Sequence, residues 1–331
     1  MLERNCNILE INCGHTNFSD YKKDLLLMLS TPLLMAWYYY GERAVKLALF
    51  SVLLSLALSF CGDLLLKKKP VFFSSSAAVT GLLIVLMLPA SVSFSFLAAC
   101  VAFAFFVCSL PFGNRDKLPF VPAAGALAFA CVCSEASVFT YPSLVYPVTA
   151  MSDPAFVRGT SLASSLSLGN SIYPGITSVT KTLIGEHAGP MGTTCALVLL
   201  ATSIYFFVRH RNRFVIFLGY VITSGVFAAL FPRILTGSFN SVIMELCSGM
   251  LLFGGLFLLT MPYCSPNKLL PGFVFGAIAG IMVMLFRRVG IYEDSSCFAI
   301  LIMNALSPLF VKTFGSAIKK AKNMQFEAEK L

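Results

Sequence analysis

The chain has 331 residues, of which 57% are hydrophobic and only 12% charged, with a mean hydropathy of +0.83. Ordinary soluble domains carry roughly 25% charged residues, so this balance excludes a water-soluble globular protein and points to a polytopic membrane protein. The formal net charge of +9 does not argue for nucleic acid, because Lys and Arg sit in short clusters between apolar runs, as orientation in a bilayer requires.

In chain order, residues 1–23 form a polar lead-in ending in Tyr21-Lys22-Lys23, with no apolar core followed by a cleavage pattern, so no signal peptide is expected. Crossing a bilayer core takes about 20 apolar residues, fewer only where neighbouring protein shelters them. On that rule the apolar runs place spans at 24–40, 44–66, 75–89, 94–110 and 123–140, then at 191–208, 214–231, 242–261, 270–286 and 297–314. The expected fold is an all-α polytopic membrane protein of about ten transmembrane helices. It divides into a first membrane repeat at 24–140, a loop at 141–190, a second membrane repeat at 191–314 and a basic tail at 315–331.

The halves look related. Gly81-Leu82-Leu83-Ile84-Val85-Leu86-Met87-Leu88-Pro89 parallels Gly254-Gly255-Leu256-Phe257-Leu258-Leu259-Thr260-Met261-Pro262, each preceded by Ser and small residues. An odd number of spans per half makes the repeats inverted, a layout that puts binding sites near the midplane at broken helices. With the N-terminus inside, only Arg43, Lys46, Arg158, Lys181, Arg233, Arg287 and Arg288 fall outside, while most basic residues lie on the side of the termini. That bias places both termini in the cytoplasm and the loop at 141–190 outside.

This loop is the longest polar interval of the chain. It carries Asp153-Pro154-Ala155-Phe156-Val157-Arg158-Gly159-Thr160-Ser161-Leu162-Ala163 and then more Ser, Thr and Gly. A gap of this length between membrane segments is more often functional or disordered than a plain connection. Asp63, Glu135 and Glu245 lie near span ends, where ionisable groups are functional candidates. Asp63, beside Lys67-Lys68-Lys69, is expected to reach water instead, whereas Glu135 and Glu245 stay open between the two readings. Gly249, Gly254, Gly255, Gly276 and Gly280 read as close helix contacts. The cysteines of the apolar runs lack metal spacing and read as small packing residues, and the three histidines are scattered, so no metal site is expected. The chain has neither a Gly-rich nucleotide-binding unit nor iron–sulfur spacing.

Two segments carry a family resemblance. They are Ser74-Ser75-Ser76-Ala77-Ala78-Val79-Thr80-Gly81-Leu82-Leu83 with Leu88-Pro89, and Ser248-Gly249 with Phe253 through Pro266. Gly272, Gly276, Gly280, Arg287, Tyr292 and the run from Phe298 to Leu309 continue the second. On these the chain resembles the D subunit of the Rnf electron-transport complex and the related B subunit of the sodium-pumping NADH:quinone oxidoreductase. The resemblance implies a urea-transporter-like pair of inverted five-helix repeats in the bacterial plasma (inner) membrane. It implies a non-autonomous subunit that passes electrons via a flavin and couples ferredoxin or NAD redox to Na+ or H+ transport. A redox-silent permease, channel or scaffold of the same fold is the alternative. The implied partners are other membrane and peripheral subunits of an Rnf-type complex, a flavin transferase and membrane lipids. In this family FMN is esterified to a threonine in Ser-Gly-Ala-Thr-Pro-Leu-Ala. Val157-Arg158-Gly159-Thr160-Ser161-Leu162-Ala163 occupies that place. The implied cofactor-binding residues are therefore Thr160 as the phosphoester threonine, with Arg158, Gly159 and Ser161. Alignment on Leu162-Ala163 selects Thr160 and alignment on Gly159 selects Ser161. The chain departs from the family at Arg158-Gly159, at Met261 where the family has Asp, and at Phe120-Val121-Pro122-Ala123, which lacks an Asn.

Overall fold

The computed structural model describes residues 18–68, 73–113, 118–144, 150–168, 179–233, 238–266, 268–290, 292–310 and 313. The basic tail at 315–331 and most of the polar lead-in lie outside the described residues. Helix occupies every apolar run expected to span. The first half holds α1 Phe18–Tyr40, α2 Glu42–Leu65, α3 Ser75–Met87, α4 Phe94–Phe103, α5 Pro122–Cys133 and the short α6 Glu135–Phe139. The central interval adds α7 Leu162–Leu168 and α8 Val179–Ile184. The second half holds α9 Ala196–Arg209, α10 Arg211–Leu230, α11 Ser238–Cys247, α12 Leu251–Phe253, α13 Leu269–Val289 and α14 Ser296–Phe310. α4 runs on through a π turn at Ala104–Ser109, and α12 through another at Gly254–Leu258. Among the described residues there is no strand, only two isolated bridges in the central interval.

Several boundaries differ from the hydropathy reading. α1 begins at Phe18, six residues before the expected span at 24, because Tyr21 is drawn into the core. Its ring lies 4.8 Å from that of His210, and its hydroxyl donates to the Thr260 carbonyl at 3.4 Å. The run at 123–140 is interrupted where Ser134 ends α5 and caps α6, accepting from the Ser137 amide at 3.3 Å. Asp63 does not reach water as expected; its position on the inner face of α2 buries it completely. Glu135 is exposed and Glu245 is buried.

Among the described residues, four helices are long and apolar enough to cross a membrane: Glu42–Leu65, Phe94–Phe112, Arg211–Leu230 and Leu269–Val289. Phe239–Cys247 and Leu251–Leu258 meet at a 65° bend and together are long and apolar enough for a fifth, broken span. Helices α3, α5 and α9 are too short to cross alone. Leu83, Ile84, Val85, Leu86 and Met87 of α3 are all buried, so protein rather than lipid shelters its end. Outward-facing Leu49, Leu53, Ile204, Val226 and Ile281 present an apolar surface that suits lipid or a partner subunit.

α10 and α13 pack most closely. A Cβ on Gly276 would land on the Ile216 carbonyl, and one on Gly280 would meet Thr223, so the small face read from sequence is a backbone contact. The end of α3 is satisfied from the central interval, with the Met191 amide donating to Leu88 O at 3.1 Å and the Gly192 amide to Leu86 O at 2.7 Å. Beyond Pro89, Arg43 Nε donates to Ala90 O at 2.6 Å and Nη2 to Val92 O at 2.9 Å. Around Pro262, Arg213 Nη1 donates to Thr260 O at 3.3 Å and to Ser265 Oγ at 3.0 Å.

Candidate functional site

The central interval folds back on itself to make a pocket. Two extended pieces pair antiparallel at Pro142 and Arg158, with the Gly159 amide donating to Tyr141 O at 2.8 Å and the Ser143 amide to Val157 O at 2.9 Å. Further along, Ser161 bridges in parallel to Ala188. Gly159 lies between these contacts. A Cβ there would sit 2.6 Å from the Ala188 Cβ and 2.9 Å from Pro142 O, so the close approach requires glycine. The resulting cavity has a volume of about 330 Å³ and is lined by Phe139, Tyr141, Arg158, Gly159, Thr160, Ser161, Ser164 and Glu293.

The four residues picked out by sequence thus share one pocket, but with different surroundings. The Ser161 hydroxyl is committed twice: it accepts from the Ser164 amide at 3.0 Å, capping α7, and it donates to Glu293 Oε1. Thr160 is half-buried and its hydroxyl makes no hydrogen bond to another described residue. Arg158 is exposed at the rim. Phe139 begins an aromatic wall, stacking on Tyr292 at 6.4 Å, and Tyr292 stacks on Phe298 at 5.6 Å.

Sequence reasoning missed Glu293, which reaches the pocket from the turn between α13 and α14, 132 residues after its partner Ser161. The only local signal was an acidic pair, Glu293-Asp294, in a short polar break between apolar runs. Asp294 turns inward. Its carboxylate accepts from the Met250 and Ser296 amides, the Ser296 hydroxyl and Arg287 Nη2, the last at 3.1 Å. Arg287 also donates to Ser248 O at 2.6 Å, Ser248 Oγ at 3.0 Å and Glu245 O at 3.2 Å. These acceptors lie at the 65° break between α11 and α12, where Gly249 has φ +56° and a Cβ would strike the Asp294 carboxylate. Arg233 Nε stands 3.3 Å from Glu245 Oε1, off the line of a hydrogen bond. Two ion pairs of the chain, Arg287–Asp294 and Arg233–Glu245, thus lie beside the break.

Burial pushes the Glu293 carboxyl up to about 7; the Ser161 hydrogen bond opposes this, the Asp294 charge adds to it, and Arg158 and Arg287 act against it. Burial also acts to raise Asp294, but the Arg287 charge and the donors from Met250 and Ser296 outweigh it and hold that carboxyl below its ordinary value.

The other sequence candidates do not join this pocket. Asp63 and Glu245 are buried elsewhere, and Met261 is buried just past the π turn that follows α12. A smaller cavity of about 30 Å³, lined by Ser55, Ser59, Ser76, Thr80 and Ser109 among others, lies in the first half and has room for about one water. Among the described residues the cysteines are free, and no His, Cys, Asp and Glu group could hold a metal ion.

A phosphate-bearing planar group fits the pocket's chemistry, since the lining combines the aromatic side chains of Phe139 and Tyr141 with the donors of Arg158, Thr160 and Ser164. Comparison with known proteins places the chain in a family. The model of the NQR2, RnfD, RnfE family matches residues 14–318. The D subunit of the ion-translocating oxidoreductase complex of Cronobacter sakazakii is 26% identical over 317 residues, covering 86% of this chain and 90% of that protein. The D subunit of the Na(+)-translocating ferredoxin:NAD(+) oxidoreductase complex of Acetobacterium woodii is 25% identical over 312 residues, 93% of this chain and 92% of that protein. The corresponding D subunit of Stutzerimonas stutzeri is 32% identical over 151 residues, a match spanning 45% of this chain and 43% of that protein.

Proposed function

The chain belongs to the NQR2, RnfD, RnfE family, and from that premise we propose that it is the flavin-bearing membrane subunit of an Rnf-type ion-translocating oxidoreductase. In this reading it lies in the bacterial plasma membrane with both termini in the cytoplasm. Its helices form about ten spans in two inverted five-helix repeats, and FMN is esterified to Thr160. Bound there, the flavin supplies reversible one- and two-electron chemistry. Arg158 pairs with the phosphate as a charge-assisted partner. Gly159 holds the loop against Ala188, and Phe139 and Tyr141 line the wall that a ring system packs against. Electron donor and acceptor belong to other subunits, because the sequence has no dinucleotide or iron–sulfur motif of its own. Coupling of that electron flow to Na+ or H+ movement is a property of the assembled complex.

The observation that carries this reading is the contrast between two adjacent hydroxyls. Ser161 is engaged as donor and acceptor, while Thr160 faces the cavity with its hydroxyl uncommitted among the described residues. Co-expression with a flavin transferase should give a fluorescent band that survives denaturing electrophoresis. The band should vanish in Thr160→Ala and persist in Ser161→Ala. An unlabelled wild-type chain, with the transferase shown to be active on another substrate, removes the covalent site and leaves a non-covalent flavin or none.

A further inference from the structure

Glu293 and Asp294 are chain neighbours with opposite surroundings. Asp294 is buried and collects two amide N–H groups, a hydroxyl and the Arg287 guanidinium. Glu293 is half-buried, lines the cavity, and receives one hydrogen bond among the described residues, from Ser161. Adjacent carboxyls with so unequal a share of donors separate in proton affinity, because the fixed charge on one disfavours a second beside it. The other groups facing Glu293 do not restore the balance. Arg287 is committed to Asp294 and to the helix break, and Arg158 is exposed at the rim, where solvent screens it. Tyr141, on the other wall, has its phenol pushed well up by burial and carries no charge near neutrality.

From this geometry we infer that Glu293 is the proton-binding group of the pocket, exchanging one proton with water through the cavity while Asp294 stays ionised. The upward displacement of the Glu293 carboxyl to about 7 agrees with the arrangement. Ionised, the carboxylate accepts the Ser161 hydroxyl. Protonated, it becomes a donor toward the cavity and no longer repels an anionic guest. Binding of a proton and binding of an anion in the pocket therefore favour each other, and by equal factors. This inference goes beyond the flavin reading and needs only the pocket.

The test uses the full-length chain in lipid nanodiscs without added flavin, its flavin content recorded by absorbance in the same samples. Infrared difference spectra follow the carboxyl stretch from about pH 6 to about pH 9, a range in which ordinary carboxyls near pH 4 are already ionised. Expected is a carboxyl signal with a midpoint near 7 that disappears in Glu293→Gln. In Arg158→Ala, an exposed change that spares the fold, the midpoint should rise by about half a unit as a screened cation is removed. No signal in that range, or one that survives Glu293→Gln, overturns the inference. Should Glu293→Gln fail to fold, an unmoved midpoint in Arg158→Ala overturns it and a raised one sustains it. Flavin-free protein that titrates as expected separates this result from the fate of the covalent site.

Discussion

Arg43 and Arg213 stand at matching places in the two halves, each in the first turn of the second helix, and each ties down the chain around a proline that follows a short buried helix. Arg43 holds Ala90 and Val92 beyond Pro89, while Arg213 holds Thr260 and Ser265 on either side of Pro262. Each guanidinium answers acceptors beside the end of a short buried helix, and the correspondence agrees with the proposed repeat. Arg43→Met and Arg213→Met should each lower stability by about 1–3 kcal/mol, the cost of leaving buried acceptors unmet. Lysine at either position should restore little, since one ammonium cannot reproduce the fork. Thermal unfolding in detergent is the measurement, and unchanged midpoints would remove the clamps from the fold.

Arg287→Met is expected to be more damaging, by about 3–5 kcal/mol, because it strands the buried Asp294 carboxylate beside the helix break. Asp294→Asn in the Arg287→Met background should recover a good part of the loss, as coupling between contacting charges requires. A double variant no better than the single one would show that Arg287 acts through Ser248 and Glu245 instead.

Gly159→Ala tests the loop. The added methyl meets Ala188 at 2.6 Å and Pro142 O at 2.9 Å, so the pairing that forms the pocket should weaken by about 1–3 kcal/mol. Faster proteolysis within 150–168 and lower flavin loading are the expected signs. Ala188→Gly removes the first clash and should restore part of both; loading as in wild type for Gly159→Ala alone would contradict the packing.

The pH dependence has a definite sign. Glu293 is raised from 4.5 to about 7, so the folded state binds its proton more tightly than the unfolded state does. Its contribution to stability is complete below about 4.5 and is lost as pH rises through 7. Asp294 is lowered, so its contribution is present above its ordinary value of 3.8 and is lost as pH falls through its depressed folded value. Melting temperatures of wild type and Glu293→Gln, compared point by point, should show the downward slope between 4.5 and about 7 only in wild type.

Topology has its own check. Ser167, exposed near the end of α7, should as cysteine react with a membrane-impermeant thiol reagent added to intact cells, in a background where Cys6, Cys13 and, among the described residues, the exposed Cys61 and Cys133 are serine. Labelling that requires opened cells would invert the proposed orientation.

Membrane class and helix placement were legible because both follow from local hydropathy, which a single chain displays directly. The loop motif was legible as a string, and Arg158, Gly159, Thr160 and Ser161 do line one cavity. What stayed hidden depends on tertiary neighbours. Asp63 beside three lysines looked wet, yet the inward face of α2 buries it. Glu293 lies 132 residues from Ser161, and no periodicity connects the two. The run at 242–261 read as one span because apolar residues dominate it on both sides of Ser248-Gly249; the bend appears only once Gly249 and the Arg287–Asp294 pair are placed.

Ala188, which bridges Ser161 at the pocket, is close in sequence to Met191 and Gly192, whose amides are held by the carbonyls at the end of α3. The pocket wall and the deepest part of the first half are thus joined by one short, taut length of backbone that has no helix or strand of its own. In hydrogen–deuterium exchange the Met191 and Gly192 amides should behave as core and not as loop, opening only when the α3 end itself lets go. A guest that tightens the wall at Ser161 would slow that opening, so the interior would register what the surface holds without any helix having to travel.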